Sequence, residues 1–79
     1  MDSRLNDMHL KVAKKLAKGA TVAEFSIPIE RDQPKMFRLS GDRRNWYNAR
    51  ILDELKDETI LYEDNSITAY GNFWILNNS

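Results

Sequence analysis

Ser40-Gly41-Asp42-Arg43-Arg44-Asn45-Trp46-Tyr47-Asn48-Ala49-Arg50-Ile51-Leu52-Asp53-Glu54-Leu55-Lys56 is the stretch whose reading decides the fold. Tyr47, Ile51, Leu52 and Leu55 recur at spacings of three and four, the period of a helix with one buried face. Asp42 follows the Ser40-Gly41 break and stands where a helix cap is expected, so the stretch predicts a helix over residues 42–56. This helix would break a local rule, because Arg43 and Arg44 open it while Asp53, Glu54 and Asp57 close it, the reverse of what the helix dipole favours. Departures of that kind mark candidate functional places.

Towards the N-terminus, Leu5, Met8, Val12 and Leu16, with Ala13 and Ala17 beside them, predict a helix over residues 3–18, capped by Asp2 or Ser3 and closed by Gly19. Residues 22–31 alternate instead, with Ala23, Phe25, Ile27 and Ile29 on one side, which reads as a strand with one wet face. Pro28 cannot donate to a ladder and places that strand at an edge or at a bulge. Turn composition over residues 32–35 leads into a second strand at residues 36–39, completing a hairpin.

Towards the C-terminus, residues 59–62 and 67–76 alternate around an Asp64-Asn65 turn and read as a second hairpin, with a bulge at Gly71. The strand containing Phe73, Trp74, Ile75 and Leu76 is apolar on both faces, so it either lies central in the sheet or presents Trp74 and Leu76 to a partner. The expectation is a single small α+β domain over residues 1–79. Its order would be α-β-β-α-β-β, with an antiparallel sheet of about four strands and both helices on one face. The other face would be left to water, to a partner or to a second copy in a homodimer.

Composition narrows the function classes. The 79 residues include 42% hydrophobic and 30% charged side chains, which is ordinary for a folded domain, and no cysteine, which removes disulfides and thiolate metal sites. A reducing cytoplasm is the natural setting, and no apolar run approaches the roughly 20 residues a membrane span needs. Net charge is zero, yet residues 1–40 carry eight Lys/Arg against five Asp/Glu, and residues 41–79 carry four against seven. That disfavours a wholly basic nucleic-acid binder and leaves room for a local basic patch.

Catalytic groups are scarce. His9 is the single histidine, beside the apolar Met8, and reads as a boundary residue rather than a base. The three glycines are isolated, so no phosphate-cradling loop is present. Asp53, Glu54, Asp57 and Glu58 form a carboxylate cluster whose plainest reading is a solvated face. We therefore expect no enzyme, no cofactor and no metal.

Binding features are clearer. On the expected second helix Arg43, Trp46 and Arg50 share one face, and Trp and Arg are the residue types most often found at interface hot spots. With Arg44 and Trp74 these form the candidate partner-binding set, and the same arginines could also simply lie across the Trp46 ring. Lys11, Lys14, Lys15 and Lys18 line the polar side of the first helix and form a candidate nucleic-acid surface. The leading expectation is an interaction module that binds and regulates or inhibits a larger protein, as accessory and phage-type proteins do. The alternative is a small nucleic-acid-binding regulator.

Overall fold

A computed structural model describes residues 5–79, so the caps expected at Asp2 and Ser3 lie outside the described residues. The fold is α+β, with three helices and a three-stranded antiparallel sheet: α1 (Asp7–Ala17), β1 (Val22–Phe25), β2 (Met36–Leu39), β3 (Asp42–Asn48), α2 (Arg50–Asp57) and α3 (Ala69–Asn78).

Asn6 caps α1, its Oδ1 accepting from the Met8 and His9 backbone N–H groups at 2.9 and 3.4 Å. The His9 ring answers by accepting from the Asn6 N–H at 3.1 Å, a capping box with imidazole in the usual Glu place. The inward stripe is His9, Val12, Ala13 and Leu16. Met8, expected inside, is 44% exposed, and His9 takes its place at 3%. Its Nε2 sits 2.9 Å from Glu54 Oε1 on α2, which is why a polar ring is stable there.

The helix expected over residues 42–56 is divided. Residues 42–48 are strand, and only from Arg50 does the chain turn helical. Ser40 and Gly41 form a two-residue hairpin turn between paired Leu39 and Asp42, with Gly41 at φ +78°. Trp46 and Tyr47 are aromatics suited to a pleated surface, and Phe37 on β2 offers Tyr47 a partner with ring centroids 5.4 Å apart. The charge inversion shrinks with the correction. Arg43 and Arg44 are not on a helix, and α2 carries Asp53 in its first turn and Lys56 in its last, as the dipole favours, although it still opens on Arg50 and ends on Asp57.

The register of the sheet sorts its two faces. Phe25 pairs with Phe37 and Phe37 with Tyr47; Phe37 and Tyr47 enter the core, while Phe25 at the edge of the row is 40% exposed. Glu24 pairs with Arg38, whose guanidinium lies over the Trp46 ring at 4.8 Å, and this row faces away. Between Leu39↔Asp42 and Phe37↔Tyr47 the ladder shifts, so β3 bulges and Arg43, Arg44, Asn45 and Trp46 all stand exposed. β1 is an edge strand, as Pro28 implied, but it ends at Phe25. Ile27 and Ile29, expected inside, lie in the following loop at 88% and 93% exposure.

The second hairpin is reduced to a single bridge, Leu61↔Ile67, around a turn with Asn65 at φ +69°. Residues 67–76 are not a strand, because Thr68 starts a helix there: its hydroxyl accepts from the Gly71 N–H at 2.8 Å and donates to Thr59 O at 2.6 Å. Gly71 marks no bulge. It is the point where α3 touches the chain after α2, where an added Cβ would meet Ile60 O at 2.3 Å. The core joins Val12 and Leu16 of α1, Phe37, Leu39 and Tyr47 of the sheet, Leu52 and Leu55 of α2, and Ile60.

Candidate functional site

Two surfaces emerge. The first surrounds the Ser40-Gly41 turn. Lys15 Nζ on α1 meets Asp42 Oδ2 at 2.9 Å, which ties the lysine side of the first helix to the start of β3. Asp42 also accepts from Asn45 Nδ2 at 2.8 Å and from the Tyr47 hydroxyl at 2.9 Å. These bonds, Lys15 foremost, hold its carboxyl down at about 2. Burial, helped by the Asp42 charge, pushes the Tyr47 phenol up to about 12.

A hollow of about 370 Å³ lies on one side of the turn, lined by Lys15, Lys18, Gly19, Ser40, Gly41 and Asp42. A second, of about 270 Å³, lies on the other side, lined by Glu24, Arg38, Ser40, Gly41 and Arg43 among others. Each contains one ion pair, Lys15 with Asp42 and Arg38 with Glu24. Each also contains one cation, Lys18 or Arg43, without an ion-pair partner among the described residues.

The second surface is the outer side of α3. Tyr70, Phe73 and Leu76 follow one another at spacings of three and are 51%, 62% and 79% exposed. Gly71 is buried, and Trp74 and Ile75 pack against the core. No Asp, Glu, Lys or Arg occurs in residues 65–79.

The residues singled out from sequence are redistributed by these findings. Arg43, Arg44 and Trp46 stay together on the β3 bulge, but Arg50 opens α2 and does not share a helix face with them. The arginine over Trp46 is Arg38. Trp74 turns inward, and its neighbours Phe73 and Leu76 carry the exposure. Lys11 and Lys18 are exposed on α1, with Lys14 and Lys15 half-buried. Sequence reasoning had no signal for the pairing of Lys15 with Asp42, and it missed Tyr70 and Phe73 as a joint surface because their helical spacing was read as a strand.

For catalysis the inventory remains thin. Both ring nitrogens of His9 are engaged in structural bonds, and Glu54 is drawn to it out of the carboxylate cluster. No group of three His, Asp or Glu side chains able to hold a metal ion occurs among the described residues. No helix among them is long and apolar enough to cross a membrane. No protein-family model, curated protein or solved structure matches the chain.

Proposed function

We propose that this chain is a non-enzymatic interaction module that binds a larger protein and regulates or inhibits it, with the outer side of α3 as the contact surface. The supporting observation is the exposure of Tyr70, Phe73 and Leu76 along one side of a helix whose opposite side is anchored to the core. At roughly 100 Å² for each side chain, the patch reaches roughly 300 Å², the size of the largest apolar patches that monomers carry for a purpose. Aromatic residues contribute most where they are fully desolvated by a partner. Because α3 bears no charge, burying it strands no ion.

The test is affinity capture from a lysate of the source organism, nuclease-treated, with wild type and a Phe73→Ser/Leu76→Ser variant side by side. A protein retained by wild type and lost with the variant supports the reading and names the partner. Retention indifferent to the variant removes α3 from the surface, and the absence of any retained protein from the nuclease-treated lysate overturns the reading. Both replaced side chains are largely exposed, so an unchanged urea midpoint is expected and serves as the folding control.

A further inference from the structure

We infer that the Ser40-Gly41 turn is a second, separate binding site, which takes the phosphate backbone of a single-stranded nucleic acid and stacks one of its bases on Trp46. A carboxylate lies in each hollow beside the turn, and each is already neutralised, Asp42 by Lys15 at 2.9 Å and Glu24 by Arg38. What remains is without an ion-pair partner among the described residues: Lys18 on one side, Arg43 on the other, and Arg44 next along the bulge. These come from the end of α1 and from β3, far apart in sequence, and the Lys15–Asp42 pair together with the hydrogen bonds between Thr21 and Ser40 brings them to one place.

The shape agrees. The two hollows share Ser40 and Gly41 as a common wall, so neighbouring phosphates could lie on either side of one low ridge. Nothing lies within 4 Å of where a Gly41 side chain would be, and the backbone there is open to close approach. Trp46, 40% exposed, belongs to the same bulge, and its ring is held by Arg38, itself a lining residue of the second hollow. A cationic track beside a fixed aromatic ring suits an unpaired strand, because a base within a duplex does not offer its face. The ring also separates this ligand from an acidic peptide, which has charge to match but no base to stack.

The test uses fluorescence anisotropy of a labelled oligothymidylate of about ten nucleotides with the whole chain, in the micromolar range typical of sequence-independent binding. Three neutralised phosphates give a slope of log K on log salt of about −2, hence a loss of about 20-fold in affinity between 50 and 200 mM salt. Arg43→Ala/Arg44→Ala should make that slope shallower, to about −0.7. Trp46→Leu should weaken binding about tenfold and Trp46→Phe should restore it, since stacking needs a ring and packing alone does not. Amide shifts on titration should gather at residues 18, 40–44 and 46, a readout that needs no variant.

Absence of saturable binding at 50 mM salt overturns the inference, as does a flat salt response. Equal competition by inorganic polyphosphate with no dependence on Trp46 overturns it too, as does preference for a duplex or for polyglutamate. The Phe73→Ser/Leu76→Ser variant should bind the oligonucleotide like wild type, so this site and the α3 surface stand or fall apart.

Discussion

Gly71→Ala should destabilise the domain by about 2 kcal/mol, although alanine is the better helix former by about 1 kcal/mol. The added Cβ would sit 2.3 Å from Ile60 O and 2.9 Å from Ile67 Cδ1. An ordinary carbon–oxygen contact is about 3.3 Å, so either α3 or the residue 60 carbonyl must shift by about 1 Å. That carbonyl accepts from the Thr68 N–H at 3.0 Å and from the Thr68 hydroxyl at 3.1 Å. Loosening two buried hydrogen bonds at about 1 kcal/mol each, plus overpacking of at least about 1 kcal/mol, outweighs the gain in propensity. For a domain of this size the melting temperature should fall by roughly 8–16 °C. Thermal unfolding followed by far-ultraviolet circular dichroism measures it, with exposed Asn72→Ala on the same helix as the control that should lose nothing. A Gly71→Ala protein as stable as wild type refutes the reasoning, for it means α3 does not approach the chain after α2 so closely.

Other outcomes follow from the same contacts. Thr68→Val keeps the shape but removes the cap on Gly71 and the bonds to Thr59 O and Ile60 O, and the urea midpoint should drop by an amount equivalent to about 1–2 kcal/mol. Thr59 closes α2 at φ +64°, a left-handed position awkward for a β-branched residue, so Thr59→Gly should raise stability by about 1 kcal/mol in the same assay. The Asp42 carboxyl titrates near 2 in the folded chain against 3.8 ordinarily. Its contribution is therefore present above about pH 4 and lost as pH falls towards 2, and Asp42→Asn should flatten that limb, leaving the part due to Asp64, which is also lowered. Tyr47 is raised from 10 to about 12, so its contribution is intact below pH 10 and lost as pH rises towards 12, and Tyr47→Phe should flatten the alkaline limb of a urea-midpoint profile.

What was legible in the sequence was local. The first helix, its closure at Gly19 and the hairpin of β1 and β2 follow from period and turn chemistry that neighbouring residues supply for themselves. Residues 42–48 were misread because Tyr47 is buried under either pattern: four residues from Ile51 it completes a helical stripe, and opposite Phe37 it completes a row of rings. Only the pairing with β2 decides between them, and pairing is not a local property. Residues 67–76 were misread for a related reason. An apolar run suits a buried strand or a helix equally, and the deciding features are the Thr68 cap and the close passage of Gly71 past Ile60. The basic residues were visible individually. Their assembly around Gly41 depends on contacts between residues far apart in sequence, the Lys15–Asp42 ion pair and the hydrogen bonds between Thr21 and Ser40.

The first and last helices lie side by side, and Leu5, before α1, lines the same hollow as Trp74, Asn77 and Asn78 at the end of α3. A tag or fusion partner attached beyond residue 79 therefore emerges beside the very side chains whose accessibility matters most, and it risks masking them. The loop over residues 26–35, exposed along most of its length and away from α3 in the chain, is the better place for a label. The same neighbourhood makes circular permutation practicable: a short flexible link from residue 79 back to residue 5, with new termini opened between residues 30 and 33, preserves every strand pairing and every helix of the fold.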